Sequence, residues 1–338
     1  MSLTLSIPRA RQVEVIDLPA RDPGPGEVRL AVRRCGICGS DLHWYTGHQQ
    51  PPRVCPGHEM SAEVDAVGRD AGAWREGDRV AVEPLLRCGR CEHCRVGNYH
   101  LCRELGILGV THPGGMAERL VARVETLHRL PDAVDFELGA LAEPMAVAVH
   151  ALRLAGLRED ENVLVLGTGT IGLVAVAAAR HLGAGFIGAT GRYPHQRLLA
   201  TNAGADQVIA PAEIGSLEQR PRVVVETVGG RADTVADGIR RVARGGTVVM
   251  LGLFEQTPAF DPLQLLVKEV RLVGSNVYNH PSGERADFDI ALEILADHPA
   301  AIRPLITHTL GLRDAARAFE TASDKSTGAV KVLIDPTA

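Results

Sequence analysis

Four cysteines, Cys88, Cys91, Cys94 and Cys102, stand close together with the spacing C-x2-C-x2-C-x7-C. Four thiolates at this spacing can form a tetrahedral cage around one Zn²⁺ ion. Such a closed site has no position for water or substrate, so it stabilises a loop and performs no chemistry. The alternative is an ordinary set of buried or disulfide-bonded cysteines. The spacing favours a structural zinc site.

A second group of metal-ligating residues consists of Cys38, His58 and Glu59. A thiolate, an imidazole and a carboxylate form a ligand set that zinc accepts readily. Three protein ligands with an exchangeable fourth position are typical of a catalytic zinc site. A further carboxylate, Glu143, lies where short β-type runs give way to an Ala-, Leu- and Val-rich helical stretch. Such a change indicates a domain junction, and substrate clefts form at domain junctions. The alternative is that these polar residues never meet.

A glycine motif, Gly167-Thr-Gly169-Thr170-Ile171-Gly172, follows the β-type run Asn-Val-Leu-Val-Leu and opens an apolar helix. Between a strand and a helix, this pattern is the fingerprint of a dinucleotide-binding turn. The first glycine makes the turn, the second admits the pyrophosphate, and the third allows helix and strand to pack closely. The helix amino terminus attracts the phosphates. A glycine-rich loop without a ligand is the alternative.

The next strand ends in Gly191-Arg192, where enzymes that use NAD usually carry an acidic residue for the ribose hydroxyl. No carboxylate is available there. Arg192 offers a bidentate partner for a 2′-phosphate, and Arg197 is a candidate helper. The sequence therefore favours NADP over NAD, although Arg192 as a solvated surface cation is the alternative.

The chain divides into two regions with different patterns of predicted secondary structure. The first, up to about residue 145, contains short β-type runs separated by turn signals, which predicts a β-barrel or sandwich. From residue 162 strands alternate with helices, which predicts βαβ units and a parallel sheet. The remaining predicted elements are a helix near 288–296, a helix over 312–321 and a strand over 329–334.

Composition excludes several classes of protein. The hydrophobic content is 45%, the charged content 23% and the net charge −5, values that are ordinary for a globular chain and argue against nucleic-acid or anionic-membrane partners. Only three of the 36 basic residues are lysines, at 268, 325 and 331. The first residues do not resemble a signal peptide, and thiolate-bound zinc favours a reducing, cytoplasmic compartment. Apart from two histidines in motifs, His43 and His58, the histidines are predicted to lie at the surface.

Together these motifs resemble the zinc-dependent medium-chain alcohol dehydrogenases, in the branch of the sorbitol (polyol) and threonine dehydrogenases. The match runs nearly end to end; it includes Cys38-Gly-Ser-Asp-Leu-His43, Gly57-His-Glu59, Gly77-Asp-Arg-Val80, Glu143-Pro144 and Lys268-Glu269 before Gly274-Ser275. The resemblance implies an α/β chain with a GroES-like β-barrel catalytic domain and a Rossmann doubly wound parallel sheet. The implied boundaries are 1–145 for the catalytic domain with its zinc lobe, 146–285 for the NAD(P)-binding domain and 286–338 for the return to the catalytic domain.

The resemblance also assigns roles to individual residues. Cys38, His58 and Glu59 become ligands of a catalytic zinc, with Glu143 binding directly or through the zinc water. Ser40 and His43 match the family's proton relay, and Asp41 matches a residue that orients His58. Other residues match the family's cofactor-binding edge, with simple strand–turn packing as the alternative: Thr227, Leu251, Gly252 and Ser275.

The function implied by the resemblance is hydride transfer between a polar secondary alcohol, or its ketone, and NADP(H), with two Zn²⁺ ions per chain. Polyols, sugars, cyclitols and amino alcohols are the candidate substrates. The alternatives are a threonine-type hydroxy-amino acid dehydrogenase, a zinc-free reductase of the same superfamily, and a non-enzymatic NADP(H)-binding protein. The family also implies a homodimer or homotetramer.

Overall fold

The computed structural model describes residues 1–338, which divide into two units. Unit 1 comprises Met1–Glu143, Asn279–Pro299 and Ile306–Ala338, and unit 2 comprises Pro144–Tyr278 and Ala300–Leu305. These boundaries differ from the sequence-based ones, because the chain returns to unit 1 at Asn279, before residue 286, and Ala300–Leu305 belongs to unit 2. Composition and periodicity do not reveal where the contacts of a chain change from one unit to the other.

The strands and helices are as follows. The strands are β1 Ser2–Arg9, β2 Gln12–Leu18, β3 Glu27–Gly36, β4 Glu59–Val67, β5 Arg79–Val82, β6 Leu85–Leu86, β7 Gly106–Ile107, β8 Arg119–Arg123, β9 Leu127–Arg129, β10 Asn162–Leu166, β11 Phe186–Thr190, β12 Gln207–Ile209, β13 Val223–Glu226, β14 Thr247–Met250, β15 Arg271–Gly274, β16 Ile306–Gly311 and β17 Lys331–Asp335. The helices are α1 Gly39–Thr46, α2 Glu92–Arg95, α3 Phe136–Gly139, α4 Ala142–Ala155, α5 Thr170–His181, α6 Pro194–Asn202, α7 Thr234–Arg241, α8 Pro262–Lys268, α9 Asp287–Asp297, α10 Pro299–Ile302 and α11 Ala315–Ser323.

Unit 1 is built around a seven-stranded sheet with the order β16-β17-β3-β4-β5-β9, and β8 also pairs with β3. Along β3 every second residue (Val28, Leu30 and Val32) is fully buried, which is the alternation of a strand with one face on a core. The last strand, β17, lies between β16 and β3, so the carboxyl terminus contributes an interior strand.

Unit 2 is a six-stranded parallel sheet with the order β12-β11-β10-β13-β14-β15. Its central strands are buried on both faces, because helices cover both sides of such a sheet; β13 consists of three valines and a glutamate that are all buried. The order reverses between β10 and β13, which is the topological switch point where dinucleotides bind in doubly wound folds. The predicted alternation of strands and helices is confirmed. None of the helices combines the length and apolar character that crossing a bilayer requires.

Candidate metal and nucleotide sites

Cys38, His58 and Glu59 come together in unit 1, with one donor atom from each lying within 4.8 Å of the others. Cys38 is the N-cap of α1, and Glu59 begins β4. The pairing of β3 with β4 places Gly36 opposite Glu59, and a side chain at Gly36 would begin 2.1 Å from the Glu59 carboxylate. The backbone therefore brings together three residues that are distant in sequence.

The donor set suits a divalent cation. His58 is buried, and its Nδ1 has no hydrogen-bond partner. Burial lowers the pKa of His58, but Cys38 together with the carboxylates of Asp41 and Glu143 outweighs it and holds the pKa well above its usual value. A thiol, an imidazole and carboxylates crowded away from water are stabilised when a cation joins them.

Asp41 does not make the contact that the resemblance implies. Its Oδ2 accepts a hydrogen bond from the backbone N–H of Cys38 at 2.8 Å, and no hydrogen bond joins it to His58. Burial raises the pKa of Asp41 to about 6. Because Asp41 stands three residues after an N-cap, its carboxylate reaches back to the free N–H of Cys38. Asp41 thus fixes the turn that carries Cys38.

A buried lysine, which the sequence interpretation missed, holds Glu59. The Nζ of Lys331 in β17 lies 2.5 Å from Oε2 of Glu59 and donates to the carbonyl oxygen of Ile37 at 3.0 Å. Both side chains are almost completely buried. Burial lowers the pKa of Lys331, but the charges of Glu59, Cys38 and Asp41 and the hydrogen bond to Glu59 together outweigh it, and the pKa is raised. Lys331 therefore anchors one oxygen of a candidate metal ligand.

Glu143 and Ser40 lie in the same unit as the cluster. Glu143 is buried in the first turn of α4, and burial raises its pKa to about 7; the charges of His58 and Glu59 act on it in opposite directions. The hydroxyl of Ser40, in the first turn of α1, is buried without a hydrogen-bond partner. His43, one turn further along α1, is partly exposed.

The four cysteines Cys88, Cys91, Cys94 and Cys102 form a second cluster with free thiols. The sulfur of Cys94 lies 3.9 Å from that of Cys88 and 3.5 Å from that of Cys91. Zinc–sulfur bonds of about 2.3 Å in a tetrahedron require sulfurs about 3.8 Å apart. Backbone N–H groups, that of Cys94 foremost, lower the pKa of Cys91 to about 6, which favours the thiolate.

The remaining cysteines and aromatic residues of unit 1 belong to its core. Cys35 and Cys55 are buried, and burial raises the pKa of both thiols. Trp44 and Tyr45 are buried, and the Tyr45 ring packs on Phe319 with centroids 5.3 Å apart.

His128 and His150 contradict the prediction that the other histidines lie at the surface. His150 is only 5% exposed. The Nε2 of His128 lies 3.0 Å from Glu83, its Nδ1 lies 3.2 Å from Asp289, and its ring stacks on Phe288. The two carboxylates come from parts of the sequence far apart, so sequence spacing gave no signal of this network.

In unit 2 the three glycines of the fingerprint occupy different surroundings. Gly167 has φ +97° at the end of β10, where residues with a side chain are strained. A side chain at Gly172 would begin 1.8 Å from the carbonyl oxygen of Gly167, whereas nothing lies within 4 Å of such a position at Gly169. Gly169 is also the N-cap of α5, and Thr170 and Ile171 open that helix. The turn therefore leaves an open approach to free N–H groups.

Strand β11 ends at Thr190 and is followed by Gly191 and Arg192 without a carboxylate. Arg192 is exposed, and Arg197 donates to the carbonyl oxygens of Gly191 at 3.0 Å and Arg192 at 3.3 Å. Arg197 therefore holds the loop rather than pointing a free guanidinium outward. The buried hydroxyl of Thr168, which has no hydrogen-bond partner, lies beside Gly191 and was missed from the sequence.

The other predicted cofactor residues of unit 2 follow strands. The Thr227 hydroxyl donates to the carbonyl oxygen of Leu166 at 2.8 Å, which ties it to the glycine turn. Leu251 and Gly252 donate their N–H groups to the carbonyl oxygen of Glu226, and the hydroxyl of Ser275 is buried without a partner.

Glu226 ends strand β13 and is not among the predicted site residues. It is fully buried, and its Oε1 accepts from the N–H groups of Val228 and Gly229 and from the hydroxyl of Thr234. This carboxylate therefore shapes the loop after β13. A buried acidic residue at the end of an apolar strand was the available signal.

Comparison with known proteins agrees with this architecture. The alcohol dehydrogenase GroES-like domain model matches residues 24–132, and the zinc-binding dehydrogenase model matches residues 170–297. The chain belongs to the zinc-dependent medium-chain alcohol dehydrogenases. The predicted family and fold class, a GroES-like β-barrel domain with a Rossmann domain, are thereby confirmed.

Individual members of this dehydrogenase family match the chain over nearly its whole length. It is 32% identical to the 2-dehydro-3-deoxy-L-galactonate 5-dehydrogenase of Pseudoalteromonas atlantica, over 96% of both chains. It is 33% identical to the sorbitol dehydrogenase of Homo sapiens, over 95% of this chain and 92% of that protein. A zinc-binding dehydrogenase of Sinorhizobium meliloti, solved with NADP, shares the fold with a TM-score of 0.89 and 29% identity over 99% of both chains. The chain is therefore an enzyme, a zinc-dependent oxidoreductase.

Proposed function

We propose that the chain oxidises a polar secondary alcohol, a polyol or sugar acid, with NADP⁺ at a zinc site made by Cys38, His58 and Glu59. The observation that carries this proposal is the meeting of a thiol, an imidazole and a carboxylate within 4.8 Å. A second zinc ion is assigned to Cys88, Cys91, Cys94 and Cys102, where it stabilises the loop.

Zinc at the first site would supply a Lewis acid for the alcohol oxygen, and NADP⁺ would supply the hydride acceptor. The residues of the chain prepare these sites. Asp41 fixes the turn of Cys38, and Lys331 holds one oxygen of Glu59. The buried Ser40 hydroxyl has no protein partner, so it is available to take the proton of the alcohol, with His43 as the outer member of the relay.

Glu143 is proposed as an exchangeable ligand or as the partner of the zinc water. Burial raises its pKa to about 7, so the environment favours its ionised form less than water does. Glu59, in contrast, is tied to Lys331. The two carboxylates of the site therefore differ. Glu59 is anchored by an ion pair, and Glu143 is the proposed exchangeable ligand.

The substrate class rests on the relatives, which include dehydrogenases of sorbitol, L-idonate and 2-dehydro-3-deoxy-L-galactonate. These compounds share adjacent hydroxyl groups, which a site rich in carboxylates and hydroxyls can bind by hydrogen bonds. A hydroxy-amino acid such as threonine is the second candidate. A panel of polyols, sugar acids, cyclitols, amino sugars and threonine, assayed with NAD⁺ and with NADP⁺, separates the two.

The preference for NADP⁺ is proposed from the end of β11. Gly191 leaves room there, no carboxylate is present to repel a 2′-phosphate, and Arg192 is exposed. Arg192→Gln should raise the KM for NADP⁺ about tenfold, the loss of about 1.4 kcal/mol, and leave the KM for NAD⁺ unchanged. Equal effects on both cofactors would contradict this role.

Cys38→Ser tests the zinc assignment directly. The variant should lose catalytic turnover and one zinc ion per chain, while keeping its circular dichroism spectrum and its binding of NADPH. Cys35→Ser, a matched control at a buried thiol outside the cluster, should keep both zinc ions. A Cys38→Ser variant with full activity would refute the proposal.

The surface of α8 and the free thiols bear on the assembly and on the compartment. On α8, Leu263, Leu266 and Val267 are 62%, 73% and 47% exposed. Adjacent exposed apolar side chains suit a subunit interface, so we propose a homodimer or homotetramer, which light scattering would determine. Free thiols in both zinc clusters favour the cytoplasm.

A further inference from the structure

A cationic pocket lies in unit 2, at the edge of the sheet where the strands begin. Its cavity, of about 420 Å³, is lined by Arg220, Arg240, Val242, Ala243, Arg244, Gln264 and Lys268. Arg220 precedes β13 and Arg244 precedes β14, whereas the glycine fingerprint follows the end of β10. Because these strands are parallel, the pocket and the fingerprint occupy opposite edges of the sheet.

The charges around this pocket are not balanced. Four cations line it, and Asp237, which pairs with Arg240, is their one carboxylate partner. Arg220, Arg244 and Lys268 form no ion pair, although the chain as a whole has a net charge of −5. The excess positive charge is therefore local.

Two of the four cations are held in place by backbone carbonyl groups. The Nζ of Lys268 donates to Ile239 at 2.6 Å and Arg240 at 3.1 Å, near the end of α7. The guanidinium of Arg244 donates to Val267 at 2.5 Å, near the end of α8. These bonds satisfy donors and interact favourably with the helix dipoles, but they leave both formal charges in place.

The cations also repel one another. Burial, followed by the charges of Arg220, Arg244 and Arg241, lowers the pKa of Lys268. The Nε of Arg241, the last residue of α7, is buried without a hydrogen-bond partner. A multivalent anion in the pocket would replace this repulsion with charge-assisted hydrogen bonds.

We propose that this pocket binds a small molecule that carries several phosphate groups. Guanidinium groups pair with phosphate in a bidentate manner, and a pocket of this volume admits an oligophosphate. Arg220, which makes no hydrogen bond within the protein, provides the free fork, and Arg244 and Lys268 provide fixed charges. Since the dinucleotide fingerprint is at the opposite edge, the pocket stays open in the enzyme with its cofactor bound.

Calorimetric titration of the zinc-loaded enzyme, saturated with NADP⁺, tests this site with ATP as the triphosphate probe at constant ionic strength. We expect one ATP per chain in addition to the cofactor, and much weaker binding of AMP, because the phosphates and not the base are recognised. The zinc content, measured after each titration, shows that ATP has not removed the metal. Absence of ATP binding by the wild-type enzyme overturns the proposal.

Arg220→Gln should weaken the Kd for ATP about tenfold, which corresponds to about 1.4 kcal/mol, and leave the dehydrogenase activity unchanged. Arg240→Gln is a second variant with the same expected direction. The matched control is Arg158→Gln, which removes an exposed arginine of unit 2 outside the pocket. The same Kd for the wild type and for Arg220→Gln would show that ATP binds elsewhere, and the proposal would fall.

Discussion

Replacing His128 with glutamine should change how the stability of unit 1 depends on pH. Burial lowers the pKa of His128, but hydrogen bonds to Asp289 and Glu83 outweigh it and raise the pKa to about 9. A rise from the usual 6.5 to about 9, at about 1.4 kcal/mol per unit, corresponds to about 3 kcal/mol. Because the folded-state pKa is the higher one, this stability is complete below pH 6.5 and is lost as the pH rises through about 9.

The assay is the difference in melting temperature between the wild type and His128→Gln, measured from pH 6 to pH 10. For a unit of this size, about 3 kcal/mol corresponds to roughly 6–12 °C at the acidic end, and the pH-dependent part should vanish above about pH 9. His112→Gln, at an exposed histidine without a carboxylate partner, is the control and should show no such trend. A wild-type advantage that stays constant across the pH range would refute the reasoning.

Three further predictions follow from buried contacts. Lys331→Met should destabilise the enzyme by about 3–5 kcal/mol, because Glu59 keeps a buried charge, and Glu59→Gln in the same chain should restore part of the loss; a denaturation series that finds no rescue contradicts the pairing. Cys91→Ser should remove one zinc ion and lower the melting temperature, and an unchanged value would exclude the structural role. Gly172→Ala should abolish NADPH binding, measured by fluorescence, because of the 1.8 Å approach to Gly167; binding at wild-type affinity would show that the turn tolerates a side chain.

The sequence predicted those elements and motifs that are determined by residues close together in the chain. The strands and helices of unit 2 follow from apolar runs and glycine positions, and the structure has β10 and α5 where these patterns place them. The four cysteines are close in sequence, so their meeting needed no tertiary information. The same applies to the turn between Gly167 and Gly172.

Contacts between distant segments could not be predicted. Lys331 reaches Glu59 across 272 positions, and His128 reaches Asp289 across 161. Asp41, placed beside His58 on the basis of the resemblance, instead bonds Cys38, because the local geometry of a helix start prevails. The scarcity of lysine was visible but not interpreted. All three lysines donate to backbone carbonyl groups, a use that suits a compact ammonium group better than a planar guanidinium.

The position of β17 has a consequence for biosynthesis. This strand lies between β16 and β3 and brings Lys331, yet it leaves the ribosome after every other strand of both sheets. The parallel sheet of unit 2 is complete in the nascent chain once residue 274 has emerged. The unit whose synthesis starts first is thus the unit whose sheet is completed last, and a chain that stopped before Lys331 would lack the strand that joins β16 to β3.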